Sequence, residues 1–421
     1  MELVLKTSGQ QCLVGSNPTA SVQVTQPEFI FPEDQRRPRR RGWLTKLLIS
    51  MVVVAGLGVA AVGGGYVYLV SQLNASGIDV YSTDGATFAP PTAEEINGPI
   101  NVLVIGSDTR VGQGKTSYGP AGNALADVII LLHVSADRKN AVALSFPRDL
   151  MVSVPECPNP EGGENYSAKD MVQINATMNT GGPACTLLTV QKLTGVKIPY
   201  LAMIDFKGVI AMSEAVGGVT VCVAEPIKDD YTQLYLEAGE HTLIGEQALA
   251  FLRTRHGVGD GSDLSRISNQ QVFLTSLVRK LKDEGALTNP FTMLKLGTAA
   301  LENMTLSNSL TEIGVILGMA REVNDVDLDK ITFLKLPVYS LKGAYSGRVA
   351  VIPDQAQLLF DRIAQDEPLV LEEANPGSGA VVAEESAPAE EPTAEPAATT
   401  SEEALPEWVQ GTNASVKSCS N

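Results

Sequence analysis

INVLVIG at Ile100–Gly106, DVIILLHV at Asp127–Val134 and AVALSF at Ala141–Phe146 are unbroken apolar runs dominated by Val, Ile and Leu. A strand with one wet face alternates apolar and polar residues; these runs do not, so they read as central strands covered on both sides. Outward from them, helical patterns follow at TLLTVQKLTG, FKGVIAMSEAVGG, GEQALAFLRTR and LSRISNQQVFLTSLVRKLKDEG, with further strands at YLAMID, GVTVCV and KITFLKLPV. Strands interleaved with helices predict an α/β fold, a layered α-β-α domain with a central mixed β-sheet over residues 99–365. No self-similarity at a period of 20 to 50 residues is present, which excludes a solenoid.

Upstream, LTKLLISMVVVAGLGVAAVGGGYVYLV carries no charge after Lys46 and is long enough to cross the ~30 Å hydrocarbon core as a helix. Residues 44–71 are therefore expected to form one transmembrane helix preceding the domain. The run is longer than the apolar region of a cleaved signal peptide. The cluster Arg36-Arg37-Pro38-Arg39-Arg40-Arg41 places residues 1–43 in the cytoplasm and everything beyond the span outside, with 72–98 as a stalk. Gly15-Ser16-Asn17-Pro18 back-translates to something like the T-arm of a transfer-RNA gene, so translation is expected to begin nearer the arginine cluster. Four cysteines fall on the outer side. Cys157 and Cys185 bracket a Pro/Gly-rich stretch and are expected to form a disulfide; Cys222 is either a small buried hydrophobe or the partner of Cys419.

With 48 Asp and Glu against 31 Lys and Arg the formal charge is −17, and residues 1–46 hold only seven bases against four acids. That argues against nucleic acid as a partner held by bulk positive charge. From Asp366 onward 12 acids face one base in a Pro/Ala-rich stretch, so residues 366–421 are expected to be a disordered tail.

The ends of the predicted elements carry the chemistry. The first strand runs into Asp108-Thr109-Arg110, the second opens at Asp127, and the third runs into Arg148-Asp149. Arg253 and Arg255 close a helix, and Asp263, Arg266 and Gln270 follow at helical spacing. Arginine forks bind phosphate oxygens and carboxylates hold Mg²⁺, so the set points to a diphosphate site. Asp149 and Asp127 are the alternatives for a proton acceptor. No G-x-S-x-G motif occurs, and His133, inside an apolar strand, reads as structural. Leu187, Leu188 and Val190, then Val209, Ile210 and Met212, then Ile313, Val315, Ile316 and Met319 are candidates to line an apolar slot, or simply core.

In order along Pro99 to Lys282, NVLVIGSDTR, ADVIILLHV, VALSFPRDLMV, INATMNTGGPACTLLTVQKLTG, FKGVIAMSEAVGGVTV and GEHTLIGEQALAFLRTRHGVGDGSDLSRISNQQ resemble the LytR-CpsA-Psr proteins of bacterial envelopes. The resemblance implies a phosphotransferase that moves a glycopolymer from a polyprenyl-diphosphate carrier to peptidoglycan through a phosphodiester, anchored in the lipid bilayer. It implies Asp108 and Asp127 as Mg²⁺-linked acids and Arg110, Arg148, Arg253 and Arg266 as phosphate-binding arginines. Asp149, Arg255, Asp263 and Gln270 match motif positions. Two rival readings use the same residues: a polyprenyl-diphosphate-sugar hydrolase, separated by acceptor dependence, and a non-catalytic lipid-linked glycan binding protein, separated by turnover. The low Lys and high Ala, Val and Gly usage fits a GC-rich Gram-positive source.

Overall fold

The three apolar runs form β1 (Ile100–Ser107), β2 (Ala126–Val134) and β3 (Ala141–Phe146), and successive side chains point to opposite faces. Leu103, Ile105, Ile129, Leu131, Val142 and Leu144 enter one core, while Val102, Val104, Ile130, Leu132 and Ala143 enter another. Burial on both faces is why the sequence lacks alternation there. The computed structural model describes residues 77–81, 98–108, 124–283, 285, 290–310, 313–383 and 404–421. The expected segment 1–43, span 44–71 and most of stalk 72–98 lie outside the described residues, as does Arg110. Among the described residues no helix is long and apolar enough to cross a membrane.

The chain continues through β4 (Met151–Val154) and β5 (Lys169–Gln173), α1 (Thr177–Thr194), β6 (Tyr200–Ile204), α2 (Phe206–Ala215) and β7 (Val219–Val223). Then come β8 (Ile227–Asp229), β9 (Leu234–Leu236), β10 (Gly239–Leu243), α3 (Glu246–Arg253), α4 (Asp263–Asp283) and α5 (Pro290–Asn303). After β11 (Met304–Leu306), α6 (Ile313–Asp325) and β12 (Ile331–Lys335) follow β13 (Val338–Ser340), β14 (Val349–Val351) and α7 (Pro353–Ala364). The last strands are β15 (Ala380–Val382), β16 (Gly411–Asn413) and β17 (Ser418–Ser420).

The seven-stranded sheet has the order β11-β6-β1-β2-β3-β12-β16. It is mixed: β1 pairs β2 and β2 pairs β3 antiparallel, whereas β1–β6 and β3–β12 are parallel. Leu187 and Val190 of α1 with Leu359, Phe360 and Ile363 of α7 cover one face, and Leu274 and Val278 of α4 with Val315 and Met319 of α6 cover the other. α2 starts cleanly because the Asp205 side chain caps it, accepting from Gly208 N at 2.8 Å.

The expected tail boundary at 366 is corrected by the structure. β15 and β17 belong to a second sheet, β10-β7-β17-β15, and β16 extends the central sheet. Leu369, Leu405 and Val409 are buried in the main core, and Ala380 in that of the second sheet. The acidic Pro/Ala composition belongs mainly to residues 384–403, which lie outside the described residues, and it masks the short apolar pieces on either side. Cys419 sits opposite Cys222 in the β17–β7 register, and the two form a disulfide; Cys157 and Cys185 form the other.

Candidate functional site

Because β2 runs antiparallel to β1 and β3, its first residues lie at the same end of the sheet as the last residues of its neighbours, with Ser107 opposite Ala126 and Phe146 opposite Ile129. Asp108, Asp127, Arg148 and Asp149 thus share one end. Asp108 Oδ1 accepts from Leu125 N at 2.7 Å, tying the end of β1 to the start of β2. The connection from α3 to α4 brings the remaining charges to that end. Its bend is held by the buried Asp229, which accepts from Thr254 Oγ1 at 2.6 Å, Arg255 N at 3.1 Å and His256 N at 3.3 Å. Burial opposes that carboxylate's charge, but these hydrogen bonds outweigh it and hold the pKa below its ordinary value. Nothing in the sequence around Asp229 marked it.

Arg148 is the centre of the cluster. Its Nη1 lies 2.6 Å from Asp127 Oδ1 and its Nε 3.6 Å from Asp263 Oδ1 and 3.9 Å from Asp149 Oδ2. Its own backbone N donates to Asp263 Oδ2 at 3.1 Å, which fixes the first turn of α4 against the end of β3. Arg266, 4% exposed, reaches Asp263 Oδ1 at 2.6 Å and donates to the Asp127 carbonyl at 2.7 Å. Burial works against the charge of Arg148, but Asp127, Asp263 and Asp149 outweigh it and raise its pKa; in Arg266 burial wins and the pKa is lowered. Both guanidiniums stay charged at neutral pH.

Asp149 is held differently. Gln173 Nε2 donates to its Oδ1 at 2.5 Å and Arg348 Nη1 at 3.3 Å. Burial pushes its carboxyl above the usual range, Asp263 adds to that, and Arg148, Arg348 and Arg255 pull it back. Neither Gln173 nor Arg348 was singled out from sequence: Gln173 closes a ribbon without periodicity, and Arg348 lies beyond the motifs that carried the resemblance.

Beside the cluster opens an apolar cavity of about 290 Å³. Val104, Val128, Phe206, Val209 and Leu277 are among its apolar walls, and Asp127, Arg253, Arg266 and Gln270 also line it. Arg253 lies over the Phe206 ring at 4.4 Å, a cation–π contact at this wall. The Gln270 amide donates to Leu252 O at 3.0 Å, fastening α4 to the end of α3. Of the slot candidates, Val209 and Met212 line the cavity; Leu187, Leu188, Val190, Val315 and Met319 are buried core instead. His133 is buried as well, its Nδ1 2.8 Å from Asn101 Oδ1 and its Nε2 3.2 Å from Asp366.

The sequence model of the LytR_cpsA_psr family matches residues 67–359. The chain belongs to the LytR-CpsA-Psr family. Among its LytR-CpsA-Psr relatives, the cell wall biosynthesis protein LcpA of Corynebacterium glutamicum is 28% identical over 323 residues, covering 70% of this chain and 59% of LcpA. The chain therefore spans about three fifths of the length of that relative. TagT of Bacillus subtilis, named a polyisoprenyl-teichoic acid–peptidoglycan teichoic acid transferase, is 28% identical over 261 residues, covering 59% of this chain and 75% of TagT. A crystal structure of a Streptococcus agalactiae protein shares the fold at a TM-score of 0.52 and 22% identity, over 66% of this chain and 91% of that one. The family match takes in every charged residue of the cluster, Arg348 included, and ends before β15, β16 and β17.

Proposed function

We propose that this LytR-CpsA-Psr protein is a phosphotransferase that moves a glycopolymer from a polyprenyl-diphosphate carrier to peptidoglycan, leaving a phosphodiester. The observation that carries the reading is the junction at Asp127 and Arg266, which belong both to the charged cluster and to the wall of the apolar cavity, where Arg253 also stands. A lipid chain with a diphosphate head needs those two environments side by side. The name of the relative TagT describes the same class of transfer.

In the transfer, an acceptor hydroxyl oxygen attacks the phosphorus bonded to the sugar. The P–O bond to the polyprenyl phosphate breaks and polyprenyl monophosphate leaves. The new P–O bond makes the phosphodiester, and the hydroxyl proton passes to a carboxylate. Arg148, Arg253 and Arg266 offset the charge on the phosphoryl oxygens and leaving group, so the protein contributes positioning and electrostatics rather than a covalent intermediate. Asp149 is the better proton acceptor of the two carboxylates. Its raised pKa brings it closer to neutrality, while Asp127 is paired through Oδ1 with Arg148 at 2.6 Å. Asp108 and Asp127, on neighbouring strand ends, would hold Mg²⁺ through their hard carboxylate oxygens, and the ion would supply positive charge at the diphosphate.

Residues 44–71 anchor the domain in the membrane and place it outside the cytoplasm in this reading, and two disulfides in one domain support an oxidising compartment. The test is acceptor dependence. Full-length protein in detergent, given a polyprenyl-diphosphate oligosaccharide and Mg²⁺, should release polyprenyl phosphate together with a phosphodiester-linked sugar on soluble peptidoglycan. Release that proceeds equally with water alone would make the protein a hydrolase and end the proposal.

A further inference from the structure

Asp149 lies where two β-ribbons meet. The β4–β5 ribbon supplies Gln173, and the β13–β14 ribbon supplies Arg348; Val349 N donates to Asp149 O at 3.2 Å, and Leu150 bridges Val349 in parallel. Within the second ribbon Val338 pairs with Val351, Tyr339 with Ala350 and Ser340 with Val349. Residues opposite one another in an antiparallel pair share a face, and faces alternate along each strand. Val338, Val349 and Val351 pack on the main core, so theirs is the inner face. Tyr339 and Ala350 then lie on the outer face. Alternation puts Leu341 and Arg348 there too, linked by Leu341 N donating to Arg348 O at 2.8 Å.

That outer face is not apolar packing left bare. Tyr339 is 50% exposed, Tyr345 in the connecting turn is 42% exposed, and the Arg348 side chain is 40% exposed while bonded to Asp149 through Nη1. Asp127, Arg253 and Arg266 line the cavity, whereas Asp149, Gln173 and Arg348 do not. The cluster thus has two sides, with Arg148 between them. One side opens on the cavity; the other is continuous with the ribbon.

We infer that the outer face of the β13–β14 ribbon, through Tyr339 and Arg348, is the docking surface for the acceptor, a glycan strand bearing hydroxyls and carboxylates. The inference rests on the transferase reading and assigns its second substrate to a place. Tyrosine suits a sugar because it offers a flat apolar face and a polar tip in one rigid side chain. Arginine suits a carboxylate because its planar fork meets both oxygens. A strand lying along Tyr339 toward Arg348 delivers a hydroxyl to Asp149, from the side opposite the lipid.

The experiment uses full-length protein in detergent with an uncrosslinked, soluble peptidoglycan strand, followed by calorimetric titration and by transfer kinetics. Tyr339→Ala and Arg348→Ala should each weaken strand binding and raise the acceptor KM about tenfold, with the KM for the lipid donor unchanged. Tyr339→Phe should retain binding, and Tyr235→Ala, an exposed tyrosine on another ribbon, should leave it untouched. Unchanged acceptor binding in both alanine variants, an equal rise in donor KM, or no strand binding by the wild type would overturn the inference. Strand binding that the variants lose, in a protein that transfers nothing, would sink the transferase reading and leave the docking surface standing.

Discussion

Arg148 Nη1 sits 2.6 Å from Asp127 Oδ1, joining the end of β3 to the start of β2. The same guanidinium faces Asp149 and Asp263, so its removal deprives three carboxylates of their shared cation. Arg148→Ala should lower kcat for transfer by about 10²–10³-fold, the range for losing one preorganised charged donor. Arg148→Lys keeps the charge but not the fork and should recover only part of the rate. A fall of less than about threefold in the alanine variant would remove Arg148 from the mechanism.

Asp149 makes a prediction about pH. Its folded pKa is raised, chiefly by burial and next by Asp263, so the folded state holds its proton to higher pH than the unfolded chain does. Stability linked to this carboxyl is therefore full below the unfolded value, about 3.9, and is lost as pH climbs through the folded one. In the proposed transfer Asp149 must be ionised to accept the proton, so the acid limb of kcat/KM is expected above the usual carboxylate value. Arg348→Ala should move that limb further up and Asp263→Asn should move it down. A limb at about 4 that neither change displaces would assign the proton to another group.

How much of this could be read beforehand depends on length and burial. β1, β2 and β3 were legible because strands buried on both faces are apolar without interruption. The strand-end charges were legible because Asp108, Asp127, Arg148 and Asp149 each follow or open such a run. Arg348 was not, since it lies 199 residues from the carboxylate it touches and precedes a strand of only three residues. β15 and β16 are equally short and flank a stretch whose composition argues for disorder; three residues carry no period. Asp229 sits in an ordinary-looking strand end, and only the folded bend at Thr254–His256 reveals its role.

Lys335, at the end of β12, is 3% exposed and meets Ser268 Oγ, with Gln410 Oε1 at 3.5 Å. Burial drives its pKa down from 10.5 to about 8, against a small opposing pull from Asp260. Between pH 8 and 10.5 the unfolded chain keeps a proton that the folded state has released, so stability should rise with pH across that window. Compared with Lys335→Met, the wild type should gain roughly 3 kcal/mol over it in denaturant titrations. Parallel stability curves for the two proteins would refute the prediction.

The Cys222–Cys419 disulfide spans 197 residues and fastens β17 to β7. Beside it, Gly259 N donates to Asn421 O at 2.7 Å, in the loop that leads to Asp263 and Arg266. Replacing both cysteines with serine should cost about 5 kcal/mol of stability on the chain-entropy model, and it should reduce transfer more than lipid binding. Equal melting of the wild type and the double variant would show that strand pairing alone secures this segment.

β16 amounts to three residues, Gly411–Asn413, yet it lies along β12, whose five residues are all buried. A Cβ on Gly411 would run into Phe333 O, so the close approach requires glycine at that position. Just past it, Arg279 donates to Val416 O at 2.9 Å. Uncovered, β12 would offer a hydrophobic row of open N–H and C=O groups, a ready template on which a second copy could add a strand. The sheet ends instead in a rim too short to propagate. The segment that looks most dispensable by composition thus guards the sheet against edge-to-edge aggregation.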